Sequence, residues 1–123
     1  MLRLLLDAHV AKAVVNGLHN QIPVEHLADW AGGQYREEDD PTILRIACQQ
    51  RLTLVTYDLR TIIPLLRAWG ERGEDHGGAI FVDDKTIPPT QYGTLIDALK
   101  ELWFHRNAED WTNQTTYLKR ASP

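Results

Sequence analysis

The sequence predicts an α/β fold, in the form of a three-layer α/β/α sandwich with a mainly parallel sheet of about four strands. Two observations lead to this prediction. Short aliphatic runs of the kind found in buried strands recur along the chain, and segments with the apolar spacing of amphipathic helices lie between them. Strands that alternate with helices imply right-handed crossovers, so the strands run parallel and the helices cover both faces of the sheet.

The first strand is predicted over Leu2 to Leu6, because this run is apolar apart from Arg3 and suits a strand buried on both faces. It ends abruptly on Asp7. The next segment is predicted to be a helix, which Asn20 and Pro23 close. Its apolar positions have the spacing of one helix face: Val10, Ala13, Val14, Gly17 and Leu18.

The middle of the chain repeats this design. The segment VEHLADW is predicted to be a second, more exposed strand, and the charged segment AGGQYREEDD a loop. A helix follows, for which Asp40 is the expected N-cap and Pro41 the first helical residue. The run from Leu52 to Thr56 then predicts a strand that leads directly to Asp58.

A third helix is predicted over Thr61 to Arg72, with Pro64 in its first turn, where the missing N–H is tolerated. The segment AIFVDD predicts a further strand. Pro88 and Pro89 then lead into the last predicted helix. Its apolar face is formed by Tyr92, Leu95, Ile96, Leu99 and Trp103.

The chain is expected to form one domain over residues 1–123, in which residues 105–123 are a C-terminal extension with a short helix around Trp111 and Tyr117. No run approaches the roughly 20 apolar residues of a membrane helix, and the first run is too short for a signal peptide. We therefore expect a cytoplasmic protein with no membrane partner. Its four tryptophans leave room for a homodimer surface, although burial in the core is the simpler expectation.

Aspartates follow the predicted strands, and this pattern raises a chemical possibility. The carboxyl ends of parallel strands lie along one edge of a sheet, where ligands of open α/β folds bind. Asp7, Asp58 and either Asp83 or Asp84 would share that edge, and Asp40 would join them if its helix begins there. Clustered carboxylates repel one another unless a divalent cation lies between them, and their hard oxygen atoms favour Mg²⁺ or Mn²⁺.

Each acid also has a purely structural interpretation, because aspartates are favoured at strand ends, turns and N-caps whatever a protein does. A metal held by these acids could activate a water for attack on a phosphodiester. His9, Arg36 and Arg60 are then candidate substrate-binding residues, since they lie near the proposed edge and could contact phosphates. Each could equally be an ordinary solvated side chain.

Other chemistries have less support. The net charge of -4 argues against a broad basic face for nucleic acid. The phosphate-binding glycine motifs of nucleotide-binding proteins are absent, and Ser122 is the only serine, which disfavours a hydrolase triad. Cys48 and the histidines lack the spacing of a zinc site.

The segments LLLDAHV, DDPTILRIA and LTLVTYDLR, in this order and spacing, resemble the short branch of the PIN-like nuclease family. That branch has a Leu-Leu-Asp-Glu-Asn opening, an Asp-Glu-Glu-Ile-Leu helix start and a Val-Thr-Asp-type strand end. The resemblance covers roughly residues 2–104. It implies a metal-dependent ribonuclease, often the toxin partnered by an antitoxin protein. By position, it implies Asp7, Asp40 and Asp58 as the catalytic, metal-binding acids.

The sequence also departs from the family pattern. Ala8 and His9 replace the usual Glu and Asn, and Arg60 stands where a second acid commonly follows the one at Asp58. A site with fewer carboxylates should bind metal more weakly or hold one ion instead of two. The prediction is therefore a divalent-metal-dependent ribonuclease that hydrolyses RNA phosphodiester bonds, with the toxin role of a type II toxin-antitoxin pair. Two alternatives stay open: a catalytically inactive PIN-like module that binds RNA or protein, and a phosphohydrolase of small esters.

Overall fold

The computed structural model describes residues 1–123 and contains a five-stranded, all-parallel sheet with four α-helices. The strands are β1 (Leu4–Leu6), β2 (Val24–His26), β3 (Thr53–Thr56), β4 (Ala79–Phe81) and β5 (Thr115–Tyr117). The helices are α1 (Lys12–Leu18), α2 (Asp40–Gln49), α3 (Leu59–Glu71) and α4 (Tyr92–Arg106), and a short 3₁₀ turn covers Trp30–Gly33. The predicted α/β class and parallel sheet are confirmed, with one strand more than expected.

The core lies in two layers, one on each face of the sheet. Leu4 and Leu6 of β1 belong to the layer beneath α1 and α4, whereas Leu5 between them belongs to the layer beneath α2 and α3. This follows from the alternating direction of side chains along a strand. All three leucines are 0% exposed, which confirms a first strand buried on both faces. The helices contribute Val14, Leu18, Leu95, Ala98 and Leu99 to the first layer, and Ile43, Leu44, Ala47, Ile62, Leu66 and Trp69 to the second.

The strand order is β2-β1-β3-β4-β5, so the direction in which the chain crosses the sheet reverses at β1. β1 pairs with β2 on one side and with β3 on the other. The connections that leave β1 and β3 therefore pass over opposite faces of the sheet. In open α/β folds, this reversal leaves a crevice at the carboxyl ends of the two central strands, which is the usual ligand position.

Two helix starts differ from those predicted. Asp39, not Asp40, is the N-cap of α2, because its carboxylate accepts the Thr42 N–H at 2.9 Å. α3 begins at Leu59, two positions before the predicted start, so Pro64 lies in its second turn and not its first. In both cases the carboxylate of an aspartate accepts one of the free N–H groups of the first turn, which favours a helix start at that point.

The predicted C-terminal helix is wrong, because the extension forms the edge strand β5. The backbone pairs with β4 through Ala79 N–H to Gln114 O at 3.0 Å and Leu118 N–H to Phe81 O at 2.8 Å. Trp111 anchors the segment: it is 5% exposed, and the Arg106 guanidinium lies 4.7 Å from its ring centroid. Thr-Thr-Tyr also has the β-branched and aromatic composition that favours a strand.

Most of the tryptophans lie in the core, which confirms the expectation that they would be buried. Trp30, Trp69 and Trp111 are at most 5% exposed, and Trp103 is half-buried with its indole N–H donating to Leu2 O at 2.8 Å. None of the helices combines the length and apolar character that crossing a membrane would require.

Gly78 is where β4 meets the C-terminal extension, and we expect Gly78→Ala to destabilise the fold. Its φ of +96° disfavours any residue with a Cβ, and a Cβ would lie 2.5 Å from the Trp111 carbonyl oxygen. Strain and clash together should cost about 2 kcal/mol or more in urea unfolding. The matched control is Gly70→Ala in α3, where the added methyl meets nothing within 4 Å and should stabilise by about 0.5 to 1 kcal/mol. Equal effects of the two substitutions would contradict this assignment.

Candidate active site at the carboxyl edge of the sheet

Asp7 lies directly beyond β1, and each of its two carboxylate oxygen atoms accepts a hydrogen bond. Its backbone N–H continues the sheet by donating to Val55 O at 2.9 Å. Oδ2 accepts the Thr56 hydroxyl at 2.6 Å, and Oδ1 accepts the Ala8 N–H at 2.8 Å. The side chain is only 9% exposed. Because a buried carboxylate is tolerated only when its oxygen atoms are hydrogen-bonded, these two bonds are what allow an acid at this position.

Thr56, the last residue of β3, links the ends of the two central strands. Its hydroxyl donates to Asp7 and also accepts the Asp58 N–H at 2.9 Å. The residue is 0% exposed, so no water competes for this hydroxyl. The sequence prediction missed Thr56. The one available signal was a hydroxyl residue that ends an otherwise aliphatic strand two positions before an aspartate.

Asp58 is the N-cap of α3 and stands beside Asp7 across the strand reversal. One carboxylate oxygen, Oδ1, accepts the Thr61 N–H at 3.3 Å. The side chain is half-buried, so the carboxylate still faces solvent in part. Its structural role as a cap and a chemical role at the edge are therefore compatible, because capping uses only one of the carboxylate oxygen atoms.

Asp40 is the first residue of α2, and the capping by Asp39 leaves its carboxylate free. Burial raises the pKa of the Asp40 carboxyl, and the negative charges of Asp7, Asp58 and Asp39 raise it further, while His9 lowers it. Asp40 begins the helix that returns the chain from the carboxyl end of β2 to the start of β3, so it lies on the same side of the sheet as the ends of the strands. The structure thus brings the three sequence-predicted acids to one edge.

None of these three carboxylates has a basic partner. The ion pairs of the molecule lie elsewhere, between Lys12 and Asp29, Arg72 and Glu74, and Arg106 and Glu109. An edge that gathers negative charge without compensating it attracts cations.

The predicted substrate-binding residues are all exposed. His9 lies in the turn that follows Asp7 and acts electrostatically on Asp40. Arg60 lies in the first turn of α3, two positions beyond Asp58. Arg36 lies against the loop before α2, where its Nε donates to Gly33 O at 3.4 Å. His9 and Arg60 thus flank the acids in the chain, whereas no contact joins Arg36 to them.

Of the two acids that follow β4, Asp83 has a turn role and Asp84 has none. The Asp83 carboxylate accepts the Lys85 N–H at 2.8 Å, which closes a local turn. Asp84 is exposed, and its charge acts with burial to raise the pKa of Tyr57 to about 12. The Tyr57 hydroxyl donates to Ile87 O at 2.9 Å, so this tyrosine fastens the segment after β4 to the core.

The donor set suits a hard divalent cation in its chemistry, since it consists of carboxylates without a counter-cation. Its geometry is more open than an assembled metal site. Nowhere in the molecule do three or more His, Cys, Asp or Glu side chains come close enough together to hold one ion. Asp7, Asp40 and Asp58 therefore share an edge and an electrostatic field but do not form a closed ligand cage.

Comparison of the chain with protein-family models, curated proteins and solved structures found no match. The chemistry of the carboxyl edge is thus the basis on which a function can be proposed.

Removing the Thr56 hydroxyl should be unusually costly. Thr56→Val keeps the shape of the side chain but leaves Oδ2 of Asp7 and the Asp58 N–H each without a partner, so we expect a loss of about 1 to 3 kcal/mol. Thr53→Val on the same strand is the matched control. Thr53 is also buried, but its hydroxyl serves only the Gly77 carbonyl oxygen, at 2.8 Å. Urea unfolding should rank Thr56→Val as the more damaging, and the reverse order would refute the linking role.

Removing the Asp40 charge should stabilise the protein at pH 7. Asp40→Asn relieves repulsion from Asp7 and Asp58, whereas Asp39→Ala at the adjacent position removes the N-cap and should cost about 1 kcal/mol. Because folding raises the pKa of Asp40, its ionised carboxylate destabilises the folded state at pH values above that pKa. The advantage of Asp40→Asn should therefore shrink as the pH falls through the raised pKa and vanish below the ordinary value of 3.8. Thermal unfolding at several pH values measures this, and destabilisation at pH 7 would contradict it.

Proposed function

We propose that this protein is a divalent-metal-dependent ribonuclease of the PIN-like kind that hydrolyses RNA phosphodiester bonds. The observation that carries the proposal is the placement of Asp7, Asp40 and Asp58 along the carboxyl edge where the strand order reverses, with no ion pair to any of them. These acids also follow one another in the chain in the same order as the acids of the PIN-like family that the sequence resembles.

Asp7, Asp40 and Asp58 are the residues proposed to hold Mg²⁺ or Mn²⁺. The bound ion would supply a water activated for attack and charge stabilisation for the leaving oxygen. The chain supplies the rest: Thr56 fixes the direction of the Asp7 carboxylate, and α3 fixes that of Asp58 through its N-cap. His9 and Arg60 are exposed and follow Asp7 and Asp58 closely in the chain, so they would contact the phosphates of the RNA. Arg36 has no contact with the acids and would contact a more distant phosphate.

The proposed biological setting is a type II toxin-antitoxin pair in the cytoplasm, with this protein as the toxin and an antitoxin protein as its partner. The support for this setting is the sequence resemblance alone. A homodimer is also proposed, but not through the tryptophans, of which Trp30, Trp69 and Trp111 are buried; the exposed aromatic residues Phe104 and Tyr117, at 76% and 55%, are available for contacts instead.

A second candidate is a catalytically inactive PIN-like module that binds RNA or a protein partner at the same edge. Two observations favour it. The acids do not form a closed ligand cage, and Ala8, His9 and Arg60 replace polar or acidic residues of the family pattern. Such a module would bind RNA without metal-dependent turnover.

Cleavage of structured RNA by the purified protein separates these functions. With Mn²⁺ or Mg²⁺ we expect cleavage that a chelator abolishes. Asp7→Asn and Asp58→Asn should each slow it by about a hundredfold or more, because each removes a charged ligand. The matched control is Asp97→Asn, which makes the same change at an exposed position of α4 and should leave the rate unaltered.

Each other outcome has a distinct meaning. Cleavage that survives in both Asp7→Asn and Asp58→Asn would refute the metal site. Turnover of small phosphate esters with RNA left intact would identify a phosphohydrolase. RNA binding without any turnover would identify the inactive module.

A further inference from the structure

His26 is a buried histidine at the carboxyl edge of the sheet. It is the last residue of β2, which pairs with β1 on the side opposite β3. It is 4% exposed and lies in register with Leu6, the residue before Asp7. Its Nε2 atom lies 2.7 Å from Val10 O, and its Nδ1 atom lies 3.1 Å from the Ala28 backbone nitrogen. The sequence prediction kept only His9 among the histidines, because their spacing did not suit a metal, so the role of His26 was missed.

These two contacts fix which ring nitrogen of His26 carries the proton. A carbonyl oxygen can only accept, so Nε2 must donate to Val10. A backbone N–H can only donate, so Nδ1 must be bare and accept from Ala28. The ring is therefore held in one orientation by the bonds at its two ends.

The contact with Val10 connects His26 to the acid site. The Val10 N–H donates to Asp7 O at 3.0 Å, which closes a turn over Asp7 to Val10. Within that turn the Ala8 N–H donates to the Asp7 carboxylate, and His9 is presented to solvent. Asp7 is thus steadied from two sides: Thr56 on β3 binds its carboxylate, and His26 on β2 holds the turn behind it.

We propose that His26 is a positioning residue of the candidate active site. By holding the Val10 carbonyl, it sets the turn that aims the Asp7 carboxylate and places His9 at the edge. This inference rests on the proposed function for its catalytic consequence. It assigns no substrate contact to His26, which is buried.

The chain offers a matched control in a second buried histidine, His76. Its Nδ1 also accepts from the backbone N–H two residues on, that of Gly78, at 3.0 Å, and it is 5% exposed. His76 precedes β4 and so lies at the opposite, amino edge of the sheet. It shares the local contact of His26 but is remote from the Asp7 turn.

Two substitutions at His26 separate its two bonds. His26→Asn keeps an acceptor near the position of Nδ1 but cannot reach Val10. His26→Gln places an N–H donor near the position of Nε2 and can restore the bond to Val10. His76→Asn makes the same change as His26→Asn where no catalytic effect is expected.

Steady-state RNA cleavage with Mn²⁺ is the first measurement. We expect His26→Asn to lower kcat by about tenfold to a hundredfold with a smaller change in KM, in line with the effect of groups that orient metal ligands. His26→Gln should recover most of kcat, and His76→Asn should keep it. A kcat for His26→Asn equal to that of His76→Asn, or no recovery in His26→Gln, would overturn the proposal.

Backbone amide NMR is the second measurement, and it does not depend on activity. In His26→Asn, the Val10 amide should exchange with solvent about tenfold faster, and the Ala8 amide resonance should shift. His26→Gln should reverse both effects, and His76→Asn should cause neither. If the wild-type protein cleaves no RNA, the proposed function fails, and these amide signals alone decide whether His26 holds the Asp7 turn. Unchanged signals in His26→Asn would overturn that role as well.

Discussion

The hydrogen bond from the Thr56 hydroxyl to the Asp7 carboxylate is the interaction on which the carboxyl edge depends. β1 and β3 are buried on both faces, so a charged residue directly beyond them is admissible only with its oxygen atoms occupied. Thr56 meets that requirement by donating its hydroxyl to Asp7. The same hydroxyl accepts the N–H of Asp58, which is the N-cap of α3. One buried hydroxyl thereby couples the end of the first strand to the helix that follows the third.

The same edge carries an electrostatic cost that the fold does not remove. The pKa of Asp40 is raised by burial and by its acidic neighbours, yet no arginine or lysine forms an ion pair with Asp7, Asp40 or Asp58. Proteins commonly keep such unfavourable arrangements where a ligand compensates for them. Some acids elsewhere in the molecule are paired or used in turns, as at Glu109 and Asp83. The carboxyl edge differs because its acids are partly or fully buried and act on one another.

Local patterns in the sequence were sufficient for the central strands and the layer arrangement. Leu4 to Leu6 and Leu52 to Thr56 read as buried strands because every residue type suits burial on both faces. The sequence does not show which of the adjacent aspartates 39 and 40 is the N-cap of α2, since either can cap a helix and only the backbone geometry selects Asp39. β5 is only three residues long with two of them exposed, so it has no hydrophobic pattern. Its position is set by contacts with Gly78 and Trp111, which sequence periodicity does not encode.

Two hydrogen bonds that organise the site were also beyond prediction, because each joins residues far apart in the chain. Thr56 and Asp7 are separated by 49 positions, and His26 and Val10 by 16. A threonine in a strand and a histidine at a strand end have many ordinary explanations. What distinguishes them is the topology, which sets β2 and β3 on either side of β1.

The late position of β5 in the chain has a consequence for biosynthesis. Asp7, Asp40 and Asp58 all precede α3 in the chain, so they are translated well before β5. During that interval β4 is the outer strand, and its Ala79, Ile80 and Phe81 offer an apolar edge to other nascent chains. Arrival of Thr115 to Tyr117 replaces that edge with a largely exposed, more polar strand. The last strand thus covers the edge of β4 that would otherwise be open to pairing with another chain.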